Sequence, residues 1–262
     1  MSARAVWKGV LKVGPSSVPV KLYAAVEDRK VRFHVLQDRT HSRVKQHLVR
    51  DTGEEVARKS FRKGFEVEPG AFVILKDDEL NRLKPEESRD IQATRFVPHS
   101  ALRNEWYERP YYLGPDEDVS KYFALVDAIQ KTNKVGIVRW SMRGKAYIGA
   151  LTTDDHYLLL IKLRYADEVE PARTLSAPEG TRLEPKELGM AKELVTALDG
   201  KFEPDVFHDN YRERVLTFVE AKAKGKHPRL PIVKNRATGG SLDVQLSRSL
   251  AAIKHNGEKK LA

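Results

Sequence analysis

Residues Arg29–Lys63 read RKVRFHVLQDRTHSRVKQHLVRDTGEEVARKSFRK. Val31, Phe33 and Val35 alternate with Arg32 and His34. Val44 and Leu48 alternate with Arg43, Lys45 and His47. Period two puts successive side chains on opposite faces of a strand. The stretch therefore predicts a hairpin or three-stranded ribbon with one apolar face, Phe33 included, and one basic face. Asp38-Arg39-Thr40-His41-Ser42 and Asp51-Thr52-Gly53 supply the turns. Lys and Arg number 11 here against 4 Asp and Glu, a local excess of +7.

A second basic concentration covers 222–262, with an excess of +8. The whole chain carries +10, so the remaining body is mildly acidic, near −5. Cations gathered into one ribbon and one tail are the footprint of a polyanion. Arg29, Lys30, Arg32, Arg43, Lys45, Arg50, Arg58, Lys59, Arg62 and Lys63 are the candidate phosphate contacts.

The 262 residues, 40% of them apolar, suffice for one large domain or a domain with an appendage. The absence of cysteine excludes disulfides and thiolate zinc sites. MSARAVWKGV lacks the apolar core of a secretory leader. No apolar run reaches the roughly 20 residues of a membrane span. A cytoplasmic protein is expected.

In chain order, Ala5–Val13 and Val18–Tyr23 read as strands, with Pro19 restricting the second to an edge or a strand start. After the ribbon, Phe65–Glu68 and Ala71–Leu75 form a hairpin about Pro69-Gly70. Asp77–Leu83 is a short helix with acids in its first turn. Ser88–Val97 is a strand with Ile91 and Phe96 as core candidates, and Pro110–Pro115 is another. Asp118–Thr132 is a helix whose core stripe falls on Phe123, Val126 and Ile129. Strands at Val135–Trp140, Ala146–Leu151 and Tyr157–Leu163 follow. Many short strands with few helices predict a closed or partly closed barrel. Helices then span Lys186–Leu198 and Asn210–Lys224, and 225–240 is a basic linker. The last element repeats Leu242, Leu246, Ser249, Leu250 and Ile253 at helical spacing, an amphipathic helix suited to a partner.

No phosphate-binding loop, dinucleotide fingerprint or nucleophile elbow occurs. Ser42-Arg43-Val44-Lys45 matches a catalytic Ser-x-x-Lys without the rest of such a site. His34, His41 and His47 have no carboxylates placed among them to complete a metal cluster. Lys45 and Lys63 carry no mark of a Schiff-base lysine. Asp154-Asp155-His156 fits a polar turn better than a metal site. No catalytic residue, cofactor or metal is assigned.

Several stretches together resemble the short bacterial form of the Ku family of DNA-end-binding proteins. They are Val6-Trp7-Lys8-Gly9, Val18-Pro19-Val20-Lys21-Leu22-Tyr23, Val31-Arg32-Phe33-His34-Val35-Leu36, Gly53-Glu54-Glu55-Val56 and Arg62-Lys63-Gly64-Phe65-Glu66. Tyr111-Tyr112-Leu113-Gly114-Pro115, Tyr165-Ala166-Asp167-Glu168-Val169 and Phe207-His208-Asp209-Asn210-Tyr211 continue the series, with Ala221–Gly225 after them. Their order runs over nearly the whole chain. Phe65 stands where Tyr is expected, and Leu242-Asp243-Val244 is less apolar than the usual start of the last helix.

The resemblance implies a mainly β fold with α: a Ku-type antiparallel barrel over 1–170 with the ribbon, about 29–63, inserted as a DNA bridge. A helical dimerisation arm over 171–224 and a basic linker with a tethered helix over 225–262 would complete it. It implies a homodimeric ring that holds double-stranded DNA ends without reading sequence, in the cytoplasm at the bacterial nucleoid. It further implies recruitment of the multidomain ATP-dependent DNA ligase of non-homologous end joining through Leu242, Leu246, Ser249, Leu250 and Ile253. No membrane partner is expected. Two alternatives stand beside it: an RNA- or single-strand-binding barrel, which needs aromatic platforms, and a metal-dependent nuclease using Asp154, Asp155 and His156.

Overall fold

A computed structural model describes residues 4–175, 184–226 and 242–259. The chain forms two units, Met1–Arg29 with Phe33–Thr174, and Lys30–Arg32 with Leu175–Ala262. In the first, β1 (Trp7–Val13), β2 (Ser16–Ala24), β5 (Asp90–Pro98), β6 (Tyr107–Pro115), β7 (Lys134–Met142), β8 (Lys145–Asp154) and β9 (Tyr157–Leu163) close a barrel in the order β1-β2-β6-β9-β8-β7-β5. The barrel departs from the antiparallel expectation at one seam, where β5 runs parallel to β1 and pairs Val10 with Asp90 and Leu11 with Ile91. The chain leaves after β2 and re-enters as β5 in the same direction as β1, which forces that geometry.

The strands alternate as their sequences do. Val18, Val20 and Leu22 of β2 are buried, while Pro19, Lys21 and Tyr23 are half-buried. Pro19 lies inside a closed sheet without breaking it, because the β6 ladder starts one residue later, at Val20. β7 and β8 are joined by Arg143 and Gly144, both at positive φ (54° and 71°), the type I′ pattern that matches strand twist. Ile91 is fully buried, but Phe96 keeps 37% of its surface exposed and is not a core residue.

Helix α2 (Val119–Thr132) starts where the Asp118 carboxylate accepts the Lys121 amide at 3.0 Å, a regular N-cap. Its buried stripe is Tyr122, Val126 and Ile129. The expected Phe123 instead lies outside, edge-on to Tyr122 with ring centroids 5.3 Å apart. Tyr122 can go inside because its hydroxyl finds a buried donor and acceptor there.

Outside the barrel, β3 (Lys63–Glu68) and β4 (Ala71–Leu75) form an isolated hairpin, followed by α1 (Asp77–Arg82). The second unit holds α3 (Pro185–Ala197), α4 (Asn210–Ala223) and α5 (Leu242–Lys259). In it α5 packs on α3, and the half-buried residues of α3 recur at Glu187, Met190, Ala191 and Leu194, a single helical face. No described helix is long and apolar enough to cross a membrane.

Candidate nucleic-acid interface

The basic stretch leaves the barrel after β2 and has no regular strand before β3. Two isolated bridges, Leu36 with Arg43 and Val49 with Glu55, mark two small loops in place of the expected ribbon of strands. The turns fall where the sequence put them: the Gln37 amide donates to the Ser42 carbonyl and the Arg50 amide to the Glu54 carbonyl, both at 2.9 Å. The ladder between them is missing for a physical reason. An alternating strand is held by burying its apolar face, and here that face is bare. Phe33 and Leu48 are 66–67% exposed, and Val35 and Val49 are likewise exposed. Phe33, expected in a core, is a surface residue.

The candidate cations whose side chains are described are exposed, but they are not equivalent. Arg50 pairs with Glu54 at 3.1 Å, Lys63 with Asp77 at 3.1 Å, and Arg29 with Glu27 at 3.3 Å. Arg62 donates to the carbonyls of Lys59 and Phe61. Lys30 is also engaged by neighbouring groups. Arg32, Arg43, Lys45 and Lys59 have no carboxylate partner among the described residues, so their charge is uncompensated. Arg58 opens a 3-10 turn, Arg58–Ser60, and its side chain lies outside those described. His47 is held by Glu55 within the same stretch.

The remaining sequence candidates are dispersed. Asp154 accepts the Tyr112 hydroxyl at 3.0 Å, and Asp155 lies 3.6 Å from His156 in the β8–β9 turn. Among the described residues no three His, Asp or Glu side chains are grouped to hold a metal ion. On α5, Leu250 is buried, Leu246 is half-buried and Ser249 is exposed, while the side chains of Leu242 and Ile253 lie outside those described. Leu250 is the one described side chain of the second unit that is buried.

A feature the sequence reading missed is the apolar surface of the β3–β4 hairpin. Phe65, Phe72 and Ile74 are 61–64% exposed on a two-stranded sheet with no second layer among the described residues. The signal was present: both faces of this hairpin carry large apolar side chains, and a two-stranded sheet cannot bury them itself.

A closed barrel with an exposed, cation-dense excursion is the frame of a DNA-binding protein that works through its surface. The chain belongs to the Ku family: the family model described as the Ku70/Ku80 beta-barrel domain matches residues 13–190. It is 36% identical over 261 residues to a non-homologous end joining protein Ku of Anaeromyxobacter sp. (strain K), covering 98% of this chain and 88% of that protein. It is 35% identical over 230 residues to the protein of that name from Coxiella burnetii, with 86% and 84% covered. The corresponding protein of Archaeoglobus fulgidus is 30% identical over 254 residues, with 96% and 100% covered. As a member of this family the chain is a DNA-binding structural protein of non-homologous end joining, not an enzyme.

Proposed function

We propose that the chain binds double-stranded DNA ends as a homodimeric ring, without reading sequence, and recruits an ATP-dependent DNA ligase to them. The observation that carries the reading is the 29–63 excursion in a Ku-family chain. Arg32, Arg43, Lys45 and Lys59 are exposed there, with no carboxylate partner among the described residues. Phosphate contacts of this kind fix a protein on a duplex without base readout. They make affinity fall with salt by roughly 0.9 log units per log unit for each contact. The apolar β3–β4 hairpin and the bare apolar side of the excursion support a second copy as the covering surface. A ring closed before DNA arrives can be threaded only from an end. The helical segments over 171–224 would embrace the second copy. The α5 helix, with its stripe Leu242, Leu246, Leu250 and Ile253 and with Ser249, would dock the ligase at the nucleoid of the cytoplasm, Leu250 seating the helix on α3.

Exposed Phe33 also suits a stacking platform for single strands. A gel-shift competition separates the two readings. Labelled linear duplex is challenged with linear plasmid, the same plasmid as a closed circle, and single strands. Release by the linear competitor alone is expected. Equal competition by the circle removes the ring, and preferential release by single strands favours the platform.

A further inference from the structure

The outer wall of the barrel carries a cleft of opposite character to the excursion. Tyr23 on β2 and Tyr112 on β6 are cross-strand partners. Tyr157, at the start of β9, meets the Tyr112 ring edge-on with centroids 6.5 Å apart. Gly114 lines the cleft, and a Cβ there would lie 3.1 Å from the Tyr23 ring, a contact tight enough to press on that ring. Asp154 and Asp155 rim the space, which measures about 610 Å³. That volume falls within the range of small-ligand and side-chain pockets.

The electrostatics are specific. Tyr112 donates its hydroxyl to Asp154, and that hydrogen bond chiefly holds the phenol above its usual pKa, so it remains a neutral donor. Nearby acids are neutralised: Asp116 by Lys8 and Lys21, and Asp118 by Lys121. Asp154 and Asp155 have no lysine or arginine partner among the described residues. With no lysine or arginine on either carboxylate, and only the His156 ring 3.6 Å from Asp155, the negative charge beside three aromatic rings disfavours a phosphate backbone. An apolar ligand is disfavoured too, because it would desolvate the carboxylates without pairing them. A planar cation satisfies both parts, stacking on the rings while its N–H groups meet the carboxylates.

We infer that this cleft binds an arginine side chain presented by an extended segment of a partner protein. The site lies on the barrel, and no part of the DNA-end reading is needed for it.

The test uses the full chain with 13C-labelled tyrosine rings and the peptide acetyl-Gly-Pro-Arg-Gly-amide, with citrulline and lysine versions as controls. The arginine peptide should shift the Tyr112 and Tyr157 ring signals saturably. Lysine should bind more weakly, and citrulline should produce no saturable shift. The double variant Asp154→Asn/Asp155→Asn should weaken binding about tenfold, the loss expected for a charge-assisted hydrogen bond. Tyr157→Ala should weaken it several-fold by removing the cation–π stacking. Both Asp155 and Tyr157 are largely exposed, so thermal unfolding of the variants should match the parent and report intact folding. Equal binding of citrulline, undiminished binding by the double variant, or unmoved ring signals would overturn the assignment. So would a fall in the sedimenting mass of the double variant, which would make the cleft a contact between copies of this chain.

Discussion

The amide of Leu158 on β9 donates a 2.9 Å hydrogen bond to the phenolic oxygen of Tyr122 on α2. The same hydroxyl donates to the carbonyl of Leu113 on β6, whose cross-strand partner is Leu158. One side chain thus completes the β6–β9 ladder from a helix, at full burial. Tyr122→Phe leaves a buried amide and a buried carbonyl unpaired, at a cost of about 1–3 kcal/mol. The urea midpoint should fall by the equivalent amount with the slope unchanged. An unmoved midpoint would show that water replaces the hydroxyl.

Asp116 sits between Lys21 and Lys8. Hydrogen bonds from Lys21, then Lys8, hold its carboxyl below the usual carboxylate range. The ionised form is therefore favoured by folding. Its contribution is present above the ordinary carboxylate pKa, about 3.9, and disappears as pH falls through the lowered value. Lys21 is raised chiefly by the same hydrogen bond. Its contribution is complete below its ordinary pKa and is lost as pH rises through the raised one. Urea midpoints of the parent and Asp116→Asn should differ near neutrality and converge in acid. A gap that stays constant throughout the acid range would place the effect elsewhere than in ionisation.

Charge reversal at Arg43, Lys45 and Lys59 should weaken duplex binding strongly. For every phosphate that is no longer neutralised, the salt slope should shrink by about 0.9. The oligomeric state should not change, because these side chains are exposed and have no carboxylate partner among the described residues. Arg50→Ala should cost less, since Arg50 is already paired with Glu54. If the triple variant binds DNA like the parent, the excursion is not the DNA surface.

If the proposed dimer closes over this hairpin, Phe65→Asp with Ile74→Asp should yield a monomer and abolish end binding. The barrel should still unfold at the parent midpoint, because the hairpin is a separate sheet. Sedimentation velocity decides it: a variant that stays dimeric removes this hairpin from the interface.

Leu250→Asp should diminish stimulation of the ligase while leaving DNA affinity intact. It should also loosen α5 from α3, visible as reduced helical circular dichroism, because Leu250 is the buried residue of that pair. Unchanged ligation by a variant with that helical loss would show that the ligase is held elsewhere.

The barrel was legible because its strands have one wet and one dry face, so Val18-Pro19-Val20-Lys21-Leu22 announces both strand and orientation. The position of Tyr122 was not, because a tyrosine enters a core only when partners such as Leu113 and Leu158 wait there. Those lie 9 and 36 residues away. The excursion misled for the opposite reason: Val31, Phe33 and Val35 alternate as in a strand, but nothing among the described residues lies over Phe33 and Val35. The positions of the cations were readable, while their pairing was not. Arg50 and Arg43 look alike in sequence, yet among the described residues only Arg50 has a glutamate beside it.

The parallel β1–β5 seam also has a consequence during synthesis. β1 and β2 emerge first and can form their hairpin at once, yet the partners of both outer edges come much later. β5 must arrive to close the β1 side, and β6 to close the β2 side. At translation rates of about 5–20 residues per second, the wait lasts on the order of ten seconds. Throughout it the nascent hairpin presents open edges to any other chain nearby. Crowded polysomes, not the finished protein, are where this barrel is most exposed to mispairing.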